Sequence, residues 1–125
     1  MRLNQVTVGA TDFEASMAFY RALGLRLIVS ARGEYARFEL PDGEATFSIH
    51  LQSHVPADGP VLYFEVEDVD AAAASMTAQG YPLLSAPADQ SWLWREARLA
   101  DPAGNRLCLF HAGENRRFPP WRIKQ

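Results

Sequence analysis

The chain has a single cysteine, Cys108, among 125 residues. An internal disulfide is therefore excluded, and a reducing cytoplasm is the expected compartment. Long apolar runs are missing as well. None approaches the ~20 residues of a spanning helix, so no membrane is expected as a partner. No charged N-terminal stretch leads into an apolar one, so a secretory signal is not expected. A basic excess is lacking too: the net charge is -3, which gives nucleic acid no electrostatic footprint. The one basic stretch is the tail, with Arg116, Arg117, Arg122 and Lys124, and it reads as a solvated face. Apolar residues make up 48%, enough for a packed core, so residues 1–125 read as one domain.

A turn and strand recur. Late in the chain stands Asp101-Pro-Ala-Gly-Asn-Arg-Leu-Cys-Leu-Phe110. Pro102 presets a turn dihedral, and Gly104 and Asn105 tolerate positive φ. A weaker version runs from Pro41 to Leu51. Between and before these turns the order repeats. Leu3 to Gly9 alternates as a strand, and Thr11-Asp12 offers an N-cap with Glu14 in the first turn. Helical spacing follows to Leu23, and Gly24 is placed to stop it. Strands are expected over residues 25–30, 35–40 and 46–51. Residues 53–60, rich in proline, glycine and polar groups, read as a linker. A strand over 61–66 comes next, then a helix start at Asp68 and Asp70. An alanine-rich helix to Gln79 ends at Gly80. Strands are expected over 81–84, 94–100 and 106–110, with 86–91 as a loop. Both halves thus read βαβββ, an α+β architecture of two modules over about 1–53 and 60–111, with an extended tail over 112–125. Phe118 and Trp121 in that tail, on either side of Pro119-Pro120, predict docking on its own module or on a partner subunit.

Four segments carry a resemblance: Leu3-Asn-Gln-Val-Thr-Val8, Phe19-Tyr20-Arg-Ala-Leu-Gly-Leu25, Phe64-Glu-Val-Glu-Asp-Val-Asp70 and Asp101-Pro-Ala-Gly-Asn105. Together they resemble the vicinal oxygen chelate (glyoxalase/bleomycin-resistance/ring-cleavage dioxygenase) superfamily over roughly residues 2–111. The resemblance implies two βαβββ modules curling around a cleft, and a homodimer. It also implies four inward positions that hold a divalent metal in metal-dependent members, falling here on Gln5, His50, Val61 and Cys108.

The chemistry of those positions is uneven. Gln5 offers a neutral amide oxygen and His50 an imidazole, a good ligand for first-row metals. Val61 offers nothing. Cys108 sits in an apolar strand, which raises a thiol pKa and disfavours the thiolate. The usual His and carboxylate set is broken, so no cofactor is expected. If position 61 faces inward, Tyr63 and Glu65 do too, and Glu65 would supply a carboxylate. Any metal site would then consist of Gln5, His50 and Glu65. The competing reading pairs Glu65 with Arg37 or Arg106. His50 and Glu65 are also the candidate catalytic acid–base groups, while a hydrogen-bonded structural role is the alternative for His50. Trp92 and Trp94, two apart, share a face if extended, and Arg95 beside them would pair with an anion. Packing of the core end or a dimer seam is the alternative for these aromatics.

Three functions are weighed. The first is a metal-poor protein that binds a small aromatic or anionic molecule in the cleft, through Gln5, Tyr63, Trp92, Trp94, Arg95 and Cys108. The second is a lyase, isomerase or dioxygenase working through Gln5, His50 and Glu65. The third is a structural or regulatory dimer whose cleft is vestigial. The first is favoured, with a small molecule as partner.

Overall fold

A computed structural model describes residues 1–124, and they form two compact units. The first comprises Met1–Pro60 with Ala100–Asn105, and the second Val61–Leu99 with residues 106–124.

In the first unit the order is β1 (Gln5–Ala10), α1 (Phe13–Ala22), β2 (Arg26–Ala31), β3 (Tyr35–Glu39) and β4 (Thr46–Leu51). Asp12 caps α1: its side chain accepts from the Ala15 backbone N–H at 3.1 Å, which satisfies an amide with no partner inside the helix. Gly24 at φ 108° ends the helix in a conformation that an L side chain rarely adopts. The strands form one sheet in the order β1-β4-β3-β2, with β1 and β4 parallel. Strand side chains alternate in facing. Val8, Ala10, Ala36, Phe38, Phe47 and Ile49 are buried on one face, and α1 buries Phe13, Phe19 and Tyr20. Tyr20 lies with its ring 4.5 Å from that of Phe47 and 5.0 Å from that of Phe19.

The turn Asp101-Pro-Ala-Gly-Asn105 belongs to this unit. Asp101 Oδ1 accepts from the backbone N–H groups of Ala103 and Asn105, both at 2.9 Å. Its Oδ2 accepts from the Asn105 side chain at 2.8 Å and from the buried Tyr20 hydroxyl at 2.6 Å. Asn105 also donates to the Gly9 carbonyl at 2.9 Å. One carboxylate thus organises the turn and ties it to α1. Burial first, and then the Asp101 charge, push the Tyr20 phenol far above its ordinary value of 10.0.

The second unit follows the same plan: β5 (Leu62–Glu65), α2 (Val69–Ala78), β6 (Ser85–Asp89), β7 (Arg95–Ala100) and β8 (Arg106–His111). Asp68 caps α2 through the Ala71 N–H at 3.0 Å, and Gly80 ends it at φ 93°. The sheet order is β5-β8-β7-β6, with β5 and β8 parallel. Val69, Ala73 and Met76 of α2 are buried, with Val69 and Ala73 clustered against Ala97.

Three local expectations are corrected. Residues 81–84 are not a strand, and the expected loop over 86–91 contains most of β6 instead. Trp92 and Trp94 are not in an extended run: residues 91–92 form a turn and Leu93 takes φ 67°. Beyond β8, Gly113–Arg116 is a short 3-10 helix. Phe118, Trp121 and Ile123 are exposed, and the Arg122 guanidinium lies 4.4 Å from the Phe118 ring centroid. Gln125 of the predicted tail lies outside the described residues.

Candidate functional site

The polar face of the first sheet is set by register. Gln5 stands opposite Thr46, and Thr7 opposite Ser48. Ser48 is opposite Arg37 on its other side, and His50 opposite Tyr35. Alternation therefore puts Gln5, Thr7, Tyr35, Arg37, Thr46, Ser48 and His50 together, on the face away from the buried apolar set. The polar groups are connected. Thr46 Oγ1 donates to Gln5 Oε1, and Gln5 Nε2 donates to Ser48 Oγ. Ser48 Oγ meets the Tyr35 hydroxyl at 2.7 Å, and Arg37 Nε donates to that hydroxyl at 3.0 Å. The hydrogen bond from Ser48 is the main cause that holds the Tyr35 phenol below its ordinary value of 10.0, with Arg37 adding to it. Sequence reading missed Tyr35, Arg37 and Ser48 as a group. The one signal was Ser48, a hydroxyl set inside the apolar run from Phe47 to Ile49.

Gln5 and His50 share this face but are not brought together. Gln5 pairs with Thr46, and His50 lies four residues further along β4. That is about 13 Å at ~3.3 Å per residue. The Gln5 amide is also committed to Thr46 and Ser48.

In the second unit, Tyr63 is opposite Cys108 and Glu65 opposite Phe110, so these four share the face away from α2. The expected co-facing of Tyr63 and Glu65 is what the register shows. Trp94 and Phe110 stack at 4.7 Å, and Tyr63 meets both rings edge-on at 6.0 and 5.6 Å. Arg98 donates to the Tyr63 hydroxyl and to Glu96, each at 3.3 Å. The Trp92 indole N–H donates to Glu96 at 2.7 Å, so both tryptophans reach this face, Trp92 by way of the turn. Glu96 is a buried carboxylate that sequence reading left unused. Tyr63 remains 49% exposed and Trp92 43%.

The remaining expected residues have other engagements. Arg95 points the opposite way from Glu96, donating to Asp70 at 2.7 and 2.8 Å and to Asp89 at 3.0 Å. Its guanidinium is thereby occupied, and it holds the Asp70 carboxyl below its usual range. Cys108 is fully buried, and desolvation with the nearby Glu96 charge pushes its thiol up to about 11. Glu65 Oε2 accepts the backbone N–H groups of Ala112 and Gly113 at 2.8 and 3.0 Å, and Arg116 stands 4.0 Å from Oε1. Its partners thus include the backbone at the start of the tail and Arg116. His111 Nδ1 lies 2.9 Å from the Val66 carbonyl oxygen.

These placements test the metal reading. The set of Gln5, His50 and Glu65 does not fit a metal: Gln5 and His50 are separated along the strand, and Glu65 serves backbone amides. Val61 has no donor atom, and the raised Cys108 thiol disfavours the thiolate. Among the described residues no three His, Cys, Asp or Glu side chains converge. Among the described residues, too, no helix is long and apolar enough to cross a membrane.

Solved structures share the architecture. A glyoxalase/bleomycin resistance protein/dioxygenase family enzyme from Burkholderia phytofirmans PsJN superposes with a TM-score of 0.77 at 21% identity, over 90% of this chain and 99% of that one. Lactoylglutathione lyase from Agrobacterium tumefaciens gives 0.73 at 19% identity, over 98% and 97%. A bleomycin-binding protein complexed with bleomycin gives 0.71 at 18% identity, over 89% and 98%. At these identities the likeness shows the fold. No curated protein matches the chain. Residues 2–109 match the family model described as Glyoxalase/Bleomycin resistance protein/Dioxygenase superfamily. With that match and the paired βαβββ units, the chain belongs to the glyoxalase/bleomycin resistance protein/dioxygenase superfamily.

Proposed function

We propose that this protein binds a small, flat organic molecule by affinity. The observation that carries the reading is the aromatic face of the second unit. Tyr63 is about half exposed although its edges rest on Trp94 and Phe110, and Arg98 lies 5.8 Å from its ring centroid. Burying this ring in the core would gain more for stability, because apolar area left in water forgoes the hydrophobic term. A ring held at the surface by two packed rings offers a rigid stacking platform with little ordering cost on binding. The bleomycin-binding protein of like fold is a binder, which supports the same class of role here.

The test is a titration of 2-naphthol and 2-naphthamide, followed by quenching of tryptophan fluorescence in a Trp121→Phe background, which leaves Trp92 and Trp94 as the reporters. Binding is expected, weakened about 3- to 10-fold in Tyr63→Ala, as one aromatic contact is worth ~0.5–1.5 kcal/mol. A signal unaffected by the probes, or one identical in Tyr63→Ala, would refute the placement.

A further inference from the structure

We propose that the polar face of the first unit holds the carboxylate of a small organic acid between the Arg37 guanidinium and the Tyr35 hydroxyl. This rests on the reading that the protein binds a small organic molecule, and it adds a charged contact for such a molecule within the first unit alone.

The first argument is charge. Among the described residues no carboxylate pairs with Arg37, although other arginines on the sheets have partners: Arg26 with Glu39 at 3.4 Å, Arg98 with Glu96 at 3.3 Å, and Arg95 with Asp70 and Asp89. Glu39 shares the Arg37 face but is engaged by Arg26. Arg37 is nevertheless held in place. Its Nε donates to the Tyr35 hydroxyl at 3.0 Å, and its guanidinium carbon lies 5.5 Å from the Tyr35 ring centroid. Those two contacts leave both terminal nitrogens, the edge that matches a planar carboxylate.

The second argument is the direction of the hydrogen bonds. Gln5 Nε2 is a donor to Ser48 Oγ, and Gln5 Oε1 is taken by Thr46. Ser48 Oγ accepts from Gln5 and shares a 2.7 Å hydrogen bond with the Tyr35 hydroxyl in which either oxygen can be the donor, and the Tyr35 oxygen also accepts from Arg37. With Ser48 as the donor, the phenol oxygen accepts twice and keeps its own O–H for a ligand, beside the Arg37 terminal N–H groups. An oxyanion completes them. His50, opposite Tyr35 across the strands, borders the same spot. The lowered Tyr35 phenol agrees with a hydroxyl made a stronger donor by this chain.

The experiment compares 2-naphthoate with the uncharged 2-naphthamide by titration calorimetry, on the full chain and on Arg37→Gln and Tyr35→Phe, with circular dichroism confirming that each variant folds. The expected result is a preference for naphthoate of about 10-fold or more, lost in Arg37→Gln and reduced in Tyr35→Phe, as for charge-assisted hydrogen bonds. Equal binding of both probes, or a naphthoate preference that survives in Arg37→Gln, overturns this inference and leaves the binding function standing. Binding of neither probe overturns both. Should Arg37→Gln fail to fold, Arg37→Lys decides: the lysine keeps the charge without the fork, and an undiminished preference overturns the carboxylate geometry.

Discussion

Replacing Tyr20 by Phe removes one oxygen and leaves the ring. The ring contacts with Phe19, Phe38 and Phe47 persist, so no cavity term enters. What is lost is a 2.6 Å hydrogen bond to the Asp101 carboxylate, with the phenol fully buried and Asp101 nearly so. Hydrogen bonds to charged groups contribute about 1.5–3 kcal/mol net. Asp101 retains its other donors from Ala103 and Asn105, so it is not orphaned, and a loss of about 2 kcal/mol is expected. For a chain of this size that corresponds to about 6–10 °C in melting temperature. Urea unfolding followed by circular dichroism measures it, provided that the transition is two-state. Asp101→Asn should cost more, because its amide turns a donor toward the Asn105 side chain or toward Tyr20. The double variant should cost less than the sum of the two. The pH dependence has a definite sign. Because the folded Tyr20 phenol lies above its ordinary 10.0, its contribution is complete below about pH 10. It declines above that pH as the unfolded chain ionises first. The stability gap between wild type and Tyr20→Phe should therefore be flat to about pH 10 and shrink beyond it. A Tyr20→Phe variant within ~0.5 kcal/mol of wild type at pH 7 would refute the assignment of this bond as the tie between turn and helix.

Two further outcomes follow from buried groups. Ser16 lies buried on α1, and its hydroxyl is the buried side-chain atom without a hydrogen-bond partner among the described residues. Ser16→Ala should raise stability by about 0.5–1 kcal/mol, since it removes an unsatisfied group and improves helix propensity; a lower urea midpoint would contradict this. Cys108, raised from 9.0 to about 11, should resist iodoacetamide at pH 8 in the folded protein and react on unfolding in urea. Its raised value adds stability that is present below about pH 9 and lost as the pH rises toward 11, so Cys108→Ala should flatten the decline in that window.

Local signals were legible wherever local physics decides. Asp12 and Asp68 cap the two helices, and Gly24 and Gly80 end them, because capping and left-handed stops depend on a few adjacent residues. The strand over Thr46–Leu51 could be read to the residue. β6 could not. Its sequence, Ser85-Ala-Pro-Ala-Asp89, is poor in strand formers, and pairing with β7 across a register shift overrides that preference. Residues 81–84 mislead in the other direction: an aromatic and leucines resemble a strand, whereas Tyr81 donates back to the Met76 carbonyl of α2 at 3.0 Å and Leu84 meets β7 through the Arg98 carbonyl at 2.7 Å.

The sequence by itself determined the repeated βαβββ order and the family, because periodicity, caps and turns are short-range and energetically local. Which side chains meet was decided only by the tertiary structure. The parallel pairing of β1 with β4 places Gln5 beside Thr46 and Ser48 and far from His50. The antiparallel pairing of β3 with β4 brings Tyr35 and Arg37 to the same spot. Glu65 is turned to the backbone of the tail and Arg95 to two aspartates. A shift of one residue in either register would send the side chains of the strand that slips to the opposite face. Register is set by the packing of whole sheets on their helices, which no single stretch of sequence encodes.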